Sequence, residues 1–187
     1  MIPDFTSHGV LPIQLEEGEA LSPWRATPAE FVARFATTMQ RVNIARNWLL
    51  VRDQLRASGL TGRQWLDGSY VENDGREPRD MDVLTLYVRP DRYLAEDQDD
   101  AFAVVTCSGP FDRDEVLEAH SLDVHYVDVS VQPGLVISRL TAKWCTLWSH
   151  RRDTLAKGIV EINLESDDQE ALVILDQMES NLRRNAT

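Results

Sequence analysis

The residues best suited to chemistry lie between Trp65 and Val88, in the stretch WLDGSYVENDGREPRDMDVLTLYV. The pattern predicts a strand that ends at Gly68-Ser69, a loop, and a second strand that opens with Asp80 and Asp82. Side chains alternate along a strand, so these two carboxylates share one face. Neighbouring carboxylates repel each other, and a hard divalent cation is the commonest reason to keep them together. Mg²⁺ typically takes one or two carboxylates plus phosphate oxygens.

This stretch has the pattern Gly-Ser, then ten residues, then Asp-x-Asp. The pattern resembles the signature of the polymerase-beta-like nucleotidyltransferases, especially the minimal ones. The resemblance covers residues 65–88. It implies that Gly68 and Ser69 hold a nucleoside triphosphate and that Asp80 and Asp82 hold Mg²⁺ or Mn²⁺. A glycine lets phosphate approach the backbone, and a hydroxyl can donate to phosphate oxygens. The alternative is a hairpin with an acidic loop in which Asp80 caps a turn.

The resemblance also implies a third carboxylate, on a strand beside the Asp-x-Asp strand. Residues 122–131, LDVHYVDVSV, are rich in β-branched residues and predict a strand with two candidates, Asp123 and Asp128. Their odd separation puts them on opposite faces, so only one can join the first two carboxylates. We favour Asp128, because a carboxylate in mid-strand is costly to bury without a metal or a basic partner. Asp80, Asp82 and Asp128 are therefore the predicted catalytic and metal-binding residues.

Two cations are candidates for binding the triphosphate. Arg79 lies beside Asp80, although it could equally neutralise acidic residues on the surface. Lys157 precedes a predicted strand at 159–164 and is one of only two lysines in the chain. The basic cluster 150–152 has two explanations. Cations are favourable at the C-terminus of a helix, or the cluster binds a phosphate or an RNA. Asp67 is expected to be a hydrogen-bonding loop residue, and His125 a half-buried histidine with no catalytic role.

The bulk composition narrows the classes of function. The chain has 187 residues, 31 acidic and 19 basic, with a formal net charge of −12. One domain over 1–187 is the default, and general nucleic-acid binding is disfavoured because it needs a basic surface. The two cysteines form no zinc motif. With no signal-peptide pattern and no long apolar run, a cytoplasmic location without membrane association is expected.

The flanking elements predict the architecture. Residues 1–27 form an extended arm, and Thr27-Pro28 with Glu30 predicts a helix start. A second helical run ends at Gly59, and its arginines are expected on a solvated face: Arg41, Arg46, Arg52 and Arg56. Helices are also predicted at 135–152, with an apolar stripe that includes Leu147, and at about 167–183. Together with the resemblance, this predicts an α+β, nucleotidyltransferase-like fold: a mixed twisted sheet flanked by helices, with the segments around residues 63, 82 and 123 at its centre.

The function implied by the resemblance is metal-dependent transfer of a nucleoside monophosphate. The donor is expected to be ATP, and the acceptor is a hydroxyl of a protein, an RNA or a small molecule. The acidic balance favours a protein or small molecule over nucleic acid, and a cognate toxin is one possible protein partner. The alternatives are a non-catalytic protein of the same fold, acting as an antitoxin-like or defence-associated binding partner, and an interaction domain without a nucleotide site.

Overall fold

A five-stranded mixed sheet organises the protein, whose computed structural model describes residues 1–15 and 20–185. The strands are β1 (Trp24–Ala26), β2 (Thr61–Asp67), β3 (Met81–Val88), β4 (Leu122–Asp128) and β5 (Val160–Asn163). Their order is β1-β5-β2-β3-β4. Strand β2 is antiparallel to both neighbours, whereas β3–β4 and β1–β5 are parallel pairs. The predicted α+β class with a mixed sheet is confirmed, although β4 lies at an edge and not in the centre.

Six helices accompany the sheet in the described part of the chain. They are α1 (Pro28–Phe35), α2 (Met39–Ala57), α3 (Asp99–Val105), α4 (Arg113–His120), α5 (Gly134–Trp148) and α6 (Gln169–Asn185). Helix α1 begins as its sequence predicts: the Thr27 hydroxyl accepts from the Glu30 amide, and the Glu30 carboxylate accepts from the Thr27 amide. Helix α5 ends at Trp148, before the predicted limit of 152. No helix in the described ranges is long and apolar enough to cross a membrane.

The sheet separates two apolar clusters. The larger one packs α1, α2 and α6 against one face and includes Phe31, Trp48 and Leu66. The smaller one packs α5 against the other face and includes Trp65, Leu84 and Trp148. Because Asp82 and Leu84 are two residues apart in β3, Asp82 lies on the α5 face. The predicted chemistry therefore belongs to the thinly covered side of the sheet, where solvent can reach it.

Two predictions about side chains are wrong. Arg41 and Arg52 are buried, although they were expected on a solvated face of α2. Arg52 pairs with Asp168 (3.0 Å) and donates to Gln64, so its charge is matched inside the core. Leu147, expected in the apolar stripe of α5, is 55% exposed.

The first residues do more than form an extended arm. Trp24–Ala26 is the edge strand β1, paired with β5. The Trp24 indole donates to the carbonyl of Pro12 (2.7 Å), which fixes the chain before the strand. This segment therefore completes the sheet on the side away from β4.

Candidate functional site

The Gly68 turn joins β2 to the loop that leads into β3. Asp67 and Asp82 are cross-strand partners, so the turn lies directly beside the start of β3. Gly68 has φ +81°, and a Cβ at this position would lie 2.3 Å from Asp82 Oδ2. Only glycine allows both the backbone conformation and this close approach. The Gly-Ser turn and the Asp-x-Asp segment, which the resemblance assigns to one site, are thus neighbours in the fold.

Three carboxylates lie near one another at this end of the sheet. Asp82 and Asp123 are paired residues of the parallel strands β3 and β4, so their side chains stand next to each other on one face. Asp80 precedes β3 by one residue. Burial, together with the negative charges of Asp80 and Asp123, raises the pKa of Asp82 to about 6, against the opposing effect of Lys157 and Arg152. The site therefore concentrates negative charge that a bound cation would neutralise.

Asp128 is not part of this cluster, and the preference for it over Asp123 is wrong. It pairs with Tyr87, near the far end of β3, and lies five residues from Asp123, about 16 Å along an extended strand. Its carboxylate accepts hydrogen bonds from the Arg89 side chain and from the Ser130 amide (2.9 Å). The basic partner that explains its burial is thus an arginine of the fold, and Asp123 is the carboxylate that joins Asp80 and Asp82.

Asp123 is itself engaged by two side chains. Arg113, at the start of α4, donates from Nε to Oδ1 (2.6 Å) and from Nη2 to Oδ2 (2.8 Å). His125 Nε2 lies 3.3 Å from Oδ1, and its ring packs 4.5 Å from that of Trp144. Burial lowers the pKa of His125 although Asp123 opposes the shift, so the imidazole tends towards its neutral form. A ligand that uses both Asp123 oxygens must displace Arg113.

Lys157 lies at the site, but its ammonium is held by the protein. Nζ is 3.0 Å from Asp67 Oδ1 and 3.1 Å from Glu72 Oε1, and it donates to the carbonyl of Gly68 (3.3 Å). Burial acts to lower the pKa of Lys157, but the two carboxylates outweigh it and the pKa is raised. Burial also raises the pKa of Asp67 to about 7, against the attraction of Lys157. Lys157 therefore fastens both ends of the Gly68 turn, a different role from the predicted phosphate contact.

A second buried cation, which the sequence did not point to, holds the same turn from the other side. Arg41 of α2 donates to the carbonyls of Tyr70 (2.6 Å), Glu72 (3.0 Å) and Ser69 (3.4 Å). It was expected on a solvated face with the other α2 arginines, and no local motif marks it as buried. The turn is therefore fixed by Arg41 and Lys157 before any ligand arrives.

The remaining predicted site residues lie around the turn. Ser69 begins a short 3₁₀ turn, Ser69–Val71, and is half-buried. Arg79 is exposed, as is Arg152, whose charge acts to lower the pKa of Asp82. Arg151 is within 3.5 Å of Asp74 and 3.7 Å of Glu72, so this member of the basic cluster supports the loop.

The carboxylates at this site suit a cation that takes its remaining ligands from water or from a substrate. Among the described residues, no group of three or more acidic, histidine or cysteine side chains is arranged to enclose a metal ion. Mg²⁺ seldom needs such an enclosure, because it commonly binds one or two carboxylates together with substrate phosphates and water. The crowded, like-charged pair of Asp80 and Asp82 beside a glycine turn fits that mode.

Comparison with known proteins places the chain in a family without assigning a function. No curated protein and no solved structure matches the sequence. Residues 3–163 match the family of unknown function DUF6932. Because that match covers most of the sequence, the chain belongs to the DUF6932 family.

Proposed function

We propose that the protein transfers a nucleoside monophosphate from a nucleoside triphosphate, with ATP as the expected donor, to an acceptor hydroxyl. The observation that carries the proposal is the contact between the Gly68 turn and Asp82, with Asp80 and Asp123 beside it. Because Gly68 has no side chain, the turn leaves room for a phosphate chain, and the neighbouring carboxylates suit the cation bound to it. The Gly-Ser and Asp-x-Asp resemblance supports the same reading.

Each residue then has a separate task. Asp80 and Asp82 would hold Mg²⁺ or Mn²⁺, with Asp123 in place of Asp128 as the third carboxylate. Ser69 and the amides of the turn would donate to phosphate oxygens, while Lys157 and Arg41 keep the turn in shape. When bound, the metal would neutralise charge on the phosphates and lower the pKa of the acceptor hydroxyl. A turn held rigid before binding adds to catalysis because it need not reorganise.

Among acceptors, a protein or a small molecule suits the chain better than nucleic acid. The net charge of −12 opposes a polyanion, whose binding depends on cationic protein groups. Two exposed arginines near the acidic cluster suit the phosphates of a single nucleotide: Arg79 precedes Asp80 in the sequence, and the charge of Arg152 acts on Asp82.

One observation favours a second candidate, nucleotide binding without turnover. Both oxygens of Asp123 accept from Arg113, which is 49% exposed and can leave only by breaking two short hydrogen bonds. If Arg113 stays in place, Asp80 and Asp82 can hold a nucleotide cation while the third carboxylate takes no part. The protein would then act as a nucleotide-dependent binding partner, in line with an antitoxin-like role.

Calorimetric titration of each of the four nucleoside triphosphates, with and without Mg²⁺, tests the proposal. The wild type should bind at least one of them in a Mg²⁺-dependent manner, and Asp80→Asn/Asp82→Asn should lose that binding. Asp97→Asn/Asp100→Asn, in the polar segment before and within α3, is a matched control and should retain it. A folded wild type that binds none of the four would refute the site.

A further inference from the structure

Helix α5 lies in a stretch of the chain that has basic residues but no acidic ones. Of the 187 residues, 31 are acidic, yet residues 129–152 contain none. The same stretch contains Arg139, Lys143, Arg151 and Arg152. A second acid-free stretch, 31–52, has four arginines, but each of them is bonded to carboxylates or carbonyls of the protein. Most of 129–152 is instead a single, partly exposed helix.

The outward side of α5 combines apolar and cationic residues. Leu135 is 67% exposed, Leu147 is 55% exposed, and Val136 is 37% exposed. Arg139 and Lys143 lie between them and are also exposed. In the described part of the chain neither cation has a carboxylate within ion-pair distance, although acidic residues outnumber basic ones elsewhere. We call these five residues the α5 face.

The α5 face is separate from the helix side that builds the core. Leu140, Trp144 and Trp148 pack on Trp65 and Leu84 of the sheet. Burying those three side chains already anchors the helix, so the exposed leucines are not needed to hold it. Exposed apolar patches rimmed by polar residues mark protein–protein contact sites, and the polar groups form the rim of such interfaces.

We propose that the α5 face binds an acidic, leucine-bearing amphipathic segment of a partner protein. Carboxylates of the partner would pair with Arg139 and Lys143, and its apolar side chains would cover Leu135, Val136 and Leu147. Charge complementarity of this kind aligns a partner and excludes wrong ones. The proposal concerns a surface outside the Asp82 cluster and does not depend on nucleotidyl transfer.

Three other occupants fit the face less well. A nucleic acid offers phosphates for two cations but nothing apolar for the leucines, and the net charge repels it. A membrane surface needs one continuous apolar side, and on α5 that side is already buried against the sheet. A second copy in antiparallel contact about Thr141 would place Arg139 against Lys143, two like charges.

Fluorescence anisotropy with a synthetic acidic peptide tests the inference on the full chain. The probe is a fluorescein-labelled helical peptide of the length of α5, with leucines at helical spacing and glutamates elsewhere. The wild type should bind it, and Arg139→Glu/Lys143→Glu should weaken binding by at least about tenfold. Arg183→Glu/Arg184→Glu, which changes the net charge equally at the end of α6, should weaken it by no more than about twofold.

A second variant and a second peptide test the apolar part. Leu135→Ser/Leu147→Ser should also weaken binding, and a probe with serine in place of leucine should bind more weakly to the wild type. The inference is overturned if the two probes bind alike, or if the α5 variants bind as the wild type does. It is equally overturned if a single-stranded oligonucleotide or anionic vesicles bind more tightly through the same residues, or if light scattering shows a dimer that these variants dissociate.

Discussion

Replacing Lys157 by Met should destabilise the protein in a way that depends on pH. The ammonium of Lys157 is buried with Asp67 and Glu72 and donates to the carbonyl of Gly68. Removing it leaves two buried carboxylates without their cation, and breaking a buried ion pair from one side costs about 3–5 kcal/mol. The chain has one other lysine, Lys143, which is exposed on α5. Lys143→Met is therefore a matched control, with an expected cost below about 1 kcal/mol.

The pH dependence follows from Asp67. Its pKa is raised to about 7, mainly by burial, and Lys157 holds it from rising further. At about pH 5 the carboxyl is protonated with or without Lys157, so this part of the loss is small. At about pH 8 Asp67 is ionised and paired with Lys157 in the wild type, whereas the variant must keep the proton or bury an unpaired charge and so loses more stability. The destabilisation by Lys157→Met should therefore grow as the pH rises.

Urea unfolding of the wild type and both variants at the two pH values measures the effect. The midpoints should separate Lys157→Met from Lys143→Met, with the larger separation at the higher pH. Equal costs for the two variants, or a cost that does not change with pH, would refute a buried clamp made by Lys157. A nucleotide titration of the folded variant then shows whether loosening the turn also weakens binding.

Three further predictions concern the same turn. Gly68→Ala should lower the free energy of unfolding by about 1–3 kcal/mol, since its Cβ would collide with Asp82 at a positive φ; thermal unfolding measures this. Arg41→Met should cost at least about 2 kcal/mol because buried carbonyls lose their donor. The more exposed, ion-paired Arg46→Met should cost about 1 kcal/mol or less, and similar urea midpoints for the two variants would contradict the difference. Because the pKa of Asp67 is raised to about 7, the folded state binds more protons than the unfolded state between about pH 4 and 7. The contribution of Asp67 to the free energy of unfolding therefore falls as the pH rises through this range. In urea unfolding at several pH values, Asp67→Asn should flatten that decline.

Local patterns predicted the local features well. The Thr27 and Glu30 capping box forms as expected, because both hydrogen bonds depend only on residues within one helical turn. Alternation along β3 put Asp82 on a definite face, and the conformational demands of Gly68 marked the turn. These signals are short in range, so one sequence is sufficient to read them.

Features that depend on residues distant in the sequence could not be predicted from local patterns. The choice between Asp123 and Asp128 depends on the register of β4 beside β3, and that register is set by a crossover of more than thirty residues through α3 and α4. The partner that explains Asp128, Arg89, is close in space but distant in sequence. Likewise, Arg41 is buried because the turn at 69–72 folds back onto α2 and offers it carbonyl groups.

Comparing Asp123→Asn with Asp128→Asn in Mg²⁺-dependent nucleotide titrations tests the central claim most directly. The two residues belong to one strand, and thermal unfolding of each variant shows that it is folded before titration. If Asp80, Asp82 and Asp123 form the site, Asp123→Asn should weaken binding by at least about tenfold while Asp128→Asn leaves it unchanged. Weaker binding by Asp128→Asn alone, or no effect of Asp123→Asn, would contradict a site made of these three carboxylates.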